Sequence, residues 1–184
     1  MCNLDDLRAA AEKQWAEFSS NEKPRVMVGA ATCGLASGAG AVIEEFKSEL
    51  QKAGLAGKVE LVETGCIGLC YAEPLVEIRS ANSPSVLYSK VSPKDVASLV
   101  KEHLIGGEPV KAKAIAVMAD EEYKGIAPFK RHPMIALQRR VVLRNCGVID
   151  PANFSHYLAR GGYKGLQRAL SMSQDEVIDD VKLS

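Results

Sequence analysis

Thr64-Gly65-Cys66-Ile67-Gly68-Leu69-Cys70 is the stretch on which the reading of this chain turns. Two cysteines stand four positions apart in a loop that carries two glycines. Glycine supplies the positive φ angles with which a loop can fold its amides back toward sulfur. Upstream, Lys58-Val59-Glu60-Leu61-Val62-Glu63 largely alternates apolar and polar side chains, as a half-buried strand does. Downstream, Leu75-Val76-Glu77-Ile78 reads as another strand. Further back, Arg25-Val26-Met27-Val28-Gly29 follows Pro24 as a short buried strand, and the small-residue loop 30–40 carries Cys33. Over 41–53, Val42, Ile43, Phe46 and Leu50 share one helical face, and Gly54 and Gly57 end that helix. In such a β-α-β unit the loops that leave the two parallel strands lie side by side. Sequence order therefore brings the loop of Cys33 near that of Cys66 and Cys70.

The remainder extends this frame. Asn82-Ser83-Pro84 is a turn signal, and Val86-Leu87-Tyr88 completes a hairpin. Ser92-Pro93-Lys94-Asp95 starts a helix, with Ser92 as N-cap and Pro93 at the first helical position. Val96, Leu99, Val100, His103 and Leu104 share its inner face until Gly106-Gly107. A leading helix with Leu4, Leu7, Ala11, Trp15 and Phe18 at three- and four-residue steps precedes the first strand, and Trp15 and Phe18 are expected to pack it onto its neighbours. The order β-α-β-β-β-α after an extra helix is that of a thioredoxin-like α/β sandwich, expected over residues 1–107. Residues 108–132 read as a linker in which 114–118 is a short extended piece. Residues 133–184 read as a helical segment: 134–143 helical, Asp150 capping a second helix, 163–170 helical, and Ser173-Gln174-Asp175-Glu176 a capping box.

Bulk properties narrow the function classes. The 184 residues contain 23 basic and 23 acidic side chains, so no global field favours nucleic acid or an anionic membrane. Aromatic residues make up 5%, too few for a base-stacking surface. No run of about 18 apolar residues occurs, which argues against a membrane span, and residues 1–10 lack a signal-peptide core; a cytoplasmic protein is expected. Five unevenly spaced cysteines then suit ligands, redox groups or buried thiols better than a disulfide framework.

Thiolates bind iron because sulfur is soft and anionic, and a [2Fe–2S] cluster usually takes four of them. Cys33, Cys66 and Cys70 are the candidate ligands. The plainer reading makes them small buried hydrophobes. Zinc ranks lower, since His103, His132 and His156 all lie far from these loops in sequence. A dithiol enzyme ranks lower too, because the spacing of Cys66 and Cys70 is one residue longer than Cys-x-x-Cys. Cys2 lies by the terminus, and Cys146 reads as a packed residue at a helix end. Lys130, Arg131, His132, Arg139, Arg140 and Arg144 form a basic cluster, either a solvated face or a surface for an acidic partner. His103 and His156, at helix ends, read as partners of the helix dipole.

Several motifs in order resemble a known family. Ala31-Thr32-Cys33-Gly34, Thr64 to Cys70, Glu73-Pro74-Leu75-Val76 and His103-Leu104-Ile105-Gly106-Gly107 resemble the N-terminal domain of NADH-binding flavoprotein subunits. Such subunits occur in bacterial NADH–quinone oxidoreductase and in NAD(P)-linked hydrogenases and formate dehydrogenases. The domain is similar to thioredoxin-like [2Fe–2S] ferredoxins. Leu143-Arg144-Asn145-Cys146-Gly147, Ile149-Asp150-Pro151, Tyr157 to Tyr163 and Glu176-Val177-Ile178 carry the resemblance on, so that it covers roughly residues 24–184.

The resemblance implies an electron-transfer and docking portion of an NADH-oxidising iron–sulfur flavoprotein subunit, with other subunits of a redox complex as partners. It implies a [2Fe–2S] cluster at Cys33, Cys66 and Cys70. Cluster-bearing members show Cys-x-x-x-x-Cys in the first loop, and Val28 stands here at the first of those positions. The fourth ligand is then a non-cysteine group, a partner's residue, or the cluster is absent and the domain serves docking alone. The glycine-rich loop that binds flavin and nicotinamide in the family would follow Ser184. FMN and NAD are thus expected in the parent protein and not on this chain alone, and so is the NADH dehydrogenase chemistry.

Overall fold

The computed structural model describes residues 4–20 and 22–184, so Cys2 lies outside the described residues. The chain divides into two compact units, Phe18–Pro151 and the combination of Met1–Glu17 with Ala152–Ser184.

The first unit is built on a five-stranded sheet. Its strands are β1 (Arg25–Gly29), β2 (Glu60–Thr64), β3 (Val76–Arg79), β4 (Val86–Tyr88) and β5 (Ala114–Val117), in the spatial order β2-β1-β3-β4-β5. β1 and β2 run parallel with Arg25 opposite Glu60 and Gly29 opposite Thr64. β3 pairs antiparallel with β1, β4 with β3, and β5 with β4. The parallel pair is joined by helices α2 (Thr32–Ala36) and α3 (Ala39–Lys52). Helix α4 (Pro93–Ser98) continues as a π-helical stretch, Leu99–Ile105. This is the expected thioredoxin-like sandwich with one strand added at its edge.

The buried apolar residues form two cores. Val26 and Val28 are wholly buried and belong to a cluster with Val42, Ile43, Phe46 and Leu50 of α3 and Val96, Leu99, Val100 and Leu104 after β4. A second cluster gathers Ile67, Leu69, Ala72, Leu75, Leu87, Ala116 and Ile135. The start of α4 is fixed by the predicted cap: Ser92 and Asp95 form a full capping box, and Lys113 reaches the same carboxylate at 2.7 Å.

Local details refine or change these expectations. Within 108–132 the extended piece expected at 114–118 is strand β5, whose Val117 and Ala116 pair with Val86 and Leu87 of β4. The stretch 134–143 is not helical but a series of turns. Only Ile135 buries its side chain there, while Leu137 and Val142 are almost fully exposed, so no apolar face is left to hold a short helix against the core. The helix after Pro151 begins later than expected, and Asn153 caps it by accepting from the Ser155 amide at 2.9 Å, in place of Asp150. His103 and His156 lie in the last turns of their helices, as expected, and both are buried. His103 meets the Tyr88 hydroxyl at 2.8 Å through Nδ1, and burial lowers its pKa to about 4, so it carries no charge to offer a dipole.

In the second unit, α1 (Leu4–Ser19) supplies Ala11 and Trp15, and α5 (Phe154–Ala159), α6 (Lys164–Ala169) and α7 (Gln174–Leu183) complete the set. Trp15 meets the His156 ring edge-on at 5.6 Å, and the Arg160 guanidinium lies 5.4 Å from the Trp15 ring centre. The capping box predicted at Ser173 and Glu176 starts α7. Among the described residues no helix is long and apolar enough to cross a membrane.

Candidate functional site

The parallel register sets the two cysteine-bearing loops beside each other. Gly29 ends β1 opposite Thr64 at the end of β2, and the Ala30 amide donates to the Thr64 carbonyl at 2.9 Å. Cys33 does not sit in an open loop. It lies in the first turn of α2, exposed.

Cys66 and Cys70 are brought together. Their sulfurs are 3.5 Å apart, and the Gly68 amide donates to Cys66 Sγ at 3.3 Å. That return of the backbone needs Gly68, whose φ is +94°. Cys70 opens a one-turn 3-10 helix, Cys70–Ala72, and is exposed. Burial pushes the Cys66 thiol up and the neighbouring Cys70 adds to the rise, while the Gly68 hydrogen bond opposes it. Two thiolates on one tetrahedral metal with metal–sulfur bonds of about 2.3 Å lie roughly 3.8 Å apart. The Cys66–Cys70 pair therefore fits the two sulfurs of one iron, and the Gly68 amide fits the hydrogen bond that tunes such a sulfur. Cys33 is not drawn in to the same point. Among the described residues no three His, Cys, Asp or Glu side chains gather around one metal-sized position. Val28 is wholly buried in the core and paired on both sides within the sheet, so that position contributes no ligand.

Three neighbours of the loop were not anticipated. Glu73 is 93% buried by its 7% exposure, and its Oε2 accepts from the Leu75 amide at 2.7 Å beneath Gly29 and Gly34. Burial pushes its carboxyl pKa up. His132, remote in sequence, reaches the Tyr71 hydroxyl at 3.2 Å, next to Cys70. The segment 140–148 clasps the loop itself. Arg140 donates to the Ile67 carbonyl at 3.0 Å, and the Gly147 amide donates to Thr64 Oγ1 at 3.2 Å. Cys146 faces Gly65 so closely that a Cβ placed there would lie 3.6 Å from its sulfur. A small cavity of about 40 Å³ runs under this clasp and is lined by Gly65, Ile67, Glu73, Arg140 and Cys146 among others. In the sequence these residues stand out as the basic cluster with His132 and Arg140, the Glu73-Pro74 pair and the run Arg144 to Gly147, none of which signals its place beside the loop.

Comparison with known proteins bears on the family. No protein-family model matches the chain. The NADP-reducing hydrogenase subunit HndB of Solidesulfovibrio fructosivorans is 34% identical over 110 residues, which cover 59% of this chain and 86% of that protein. A 2Fe-2S ferredoxin of Clostridium pasteurianum is 34% identical over 70 residues, 38% of this chain and 66% of the ferredoxin. A solved thioredoxin-like [2Fe-2S] ferredoxin from Aquifex aeolicus superposes with a TM-score of 0.48 at 27% identity, covering 53% of this chain and 94% of that one. The resemblance to hydrogenase-linked subunits and ferredoxins drawn from the sequence stands. The chain belongs to the family that joins the NADP-reducing hydrogenase subunit HndB to the thioredoxin-like [2Fe–2S] ferredoxins.

Proposed function

We propose that this chain is the electron-carrying and docking portion of an NAD(P)-linked redox complex, with a [2Fe–2S] cluster held by Cys33, Cys66 and Cys70. The observation that carries this reading is the Cys66–Cys70 pair, 3.5 Å apart at a glycine-bearing loop whose Gly68 amide already donates to sulfur. When bound, such a cluster takes up and releases one electron with no atom transferred. This chain's own contribution is to supply thiolates and to temper the charge on them. The Gly68 hydrogen bond withdraws charge from Cys66 sulfur and favours the reduced state. The apolar residues below the loop, Ile67 and Leu69, keep water from its inner side.

The relatives named as hydrogenase subunits and ferredoxins support a role beside partner subunits. Oxidation of NADH, with binding of FMN and NAD, is the activity proposed for the parent complex. A second reading, a cluster-free docking domain, is favoured by the failure of three ligands to converge among the described residues. Anaerobic preparation separates the two. The expected result is two irons and two sulfides per chain and an EPR signal after dithionite reduction. A colourless, iron-free chain after reconstitution with iron and sulfide leaves only the docking role.

A further inference from the structure

We propose that the segment 131–144 is a docking face beside the cysteine loop, and that it receives a partner protein whose surface sets an acidic rim around an apolar centre. This rests on the docking part of the reading above and not on the cluster.

Charge is segregated in this net-neutral chain. Residues 124–149 carry six basic side chains and no acidic one, so the remainder of the chain is net acidic. The loop 64–72 adds no charged side chain. Within the basic run, Lys124 pairs with Glu108, Lys130 pairs with Asp120, and Arg140 is held on the Ile67 carbonyl. Arg131, Arg139 and Arg144 are exposed, and among the described residues their guanidinium groups form no ion pair. Apolar side chains stand between these arginines. Leu137 is 97% and Val142 91% exposed, and Met134 and Val141 also face water. Large apolar side chains gathered at the surface mark a place that another molecule covers.

The segment is fastened to the cysteine loop at two points. His132 meets the Tyr71 hydroxyl at 3.2 Å, one residue after Cys70, and Arg140 donates to the Ile67 carbonyl at 3.0 Å, one residue after Cys66. Cys70 and Tyr71 are themselves exposed. A protein seated on 131–144 therefore lies beside Cys70. The chemistry of the face selects the kind of partner. Arginine, tyrosine and methionine are the residues enriched where proteins meet, and lysine is depleted there. Guanidinium groups pair with carboxylates through two parallel hydrogen bonds, which suits an acidic rim. Leu137 and Val142 offer a phosphate backbone nothing to bind. The stretch 134–143 is a series of turns, and so lacks the amphipathic helix that lies in a lipid interface.

The test measures binding to the full chain, both unloaded and after reconstitution with iron and sulfide. The probe is oxidised flavodoxin, an acidic carrier protein with an apolar centre, and cytochrome c, a basic carrier, is its counterpart. The chain is expected to bind flavodoxin and not cytochrome c, with affinity falling about tenfold between roughly 20 and 200 mM salt. Arg131→Glu/Arg139→Glu/Arg144→Glu is expected to weaken flavodoxin binding about tenfold at the lower salt, with circular dichroism unchanged. If the reversed charges disturb folding, the neutral Arg131→Gln/Arg139→Gln/Arg144→Gln carries the same test. Leu137→Ser/Val142→Ser is expected to weaken binding roughly fivefold and to keep the salt dependence. Equal binding of cytochrome c, or undiminished flavodoxin binding by the folded triple variant, overturns the proposal. Tighter binding of polyuridylate or of phosphatidylglycerol vesicles through the same arginines overturns it as well. A chain that takes up no iron yet binds flavodoxin as described overturns the cluster and leaves the docking face. A loaded chain that does not bind flavodoxin overturns the docking face and leaves the cluster.

Discussion

At the scale of single residues, two glycines do work that no other residue could do unchanged. Gly68 turns its amide onto Cys66 sulfur, and Gly147 lets the 140–148 segment lie flat on the loop. A Cβ at position 147 would stand 2.4 Å from Ile67 Cγ2, and φ there is +73°. Gly147→Ala must therefore adopt a left-handed conformation and push Ile67 out of the second core. The left-handed backbone costs about 1–2 kcal/mol and the overpacking about 1–3 kcal/mol. A loss of about 2–5 kcal/mol in urea denaturation is expected. Stability within about 0.5 kcal/mol of the unsubstituted chain would mean that the clasp is not held as described. The loop glycine at 68 was legible in the sequence because it lies between two cysteines. The role of Gly147 was not, since it depends on Ile67, eighty positions earlier in the chain.

At the scale of elements, the inner face of α4 and its π-helical continuation combines apolar packing with one buried imidazole. His103 lies under the sheet with Tyr88, and Ser80 Oγ donates to its carbonyl at 2.6 Å. Its pKa is lowered from 6.5 to about 4, first by burial and then by the charge of Lys124. The neutral form is thus favoured in the folded state. Between pH 6.5 and pH 4 the unfolded chain binds a proton that the folded chain refuses, so stability is full above pH 6.5 and falls as pH drops toward 4. Roughly 3 kcal/mol should be lost across that window through this group. Glu73 and Glu77, whose burial raises their pKa, push the other way on acidification, so the comparison with His103→Gln isolates the effect. The expected outcome is a shallower fall in stability between pH 6.5 and 4 for the variant, measured by denaturant unfolding. Parallel profiles would refute the assignment. Helix α3 and the α4 cap were readable in advance because Val42, Ile43, Phe46 and Leu50 fall on one face and Ser92-Pro93 is a local start signal. Strand β5 was half-legible: its four residues read as extended, but what makes it a strand is the edge that β4 offers. The turns of 134–149 were not legible, because Leu137, Val141 and Val142 look like a helix's apolar face and in fact point to solvent.

At the scale of the whole molecule, the elements that position the site are confined to one stretch of chain. All five strands, both apolar clusters and the four described cysteines fall between Phe18 and Pro151. Phe18 itself belongs with this unit: the Arg25 guanidinium stacks 3.2 Å from its ring centre and donates to its carbonyl, while the same side chain pairs with Glu60 at 2.8 Å. Stability follows from apolar area closed within a unit, and the two clusters close without any residue of α5, α6 or α7. A chain cut to residues 18–151 should therefore fold by itself, with mixed α/β circular dichroism and a single cooperative transition. It should also take up as much iron and sulfide per chain as the full protein when reconstituted in the same way. If the cut chain folds but takes up none, a donor lies outside the unit, and the cluster is not held by the unit alone. If it fails to fold, the outer helices are part of the core, and the boundary at Pro151 does not mark an independent domain.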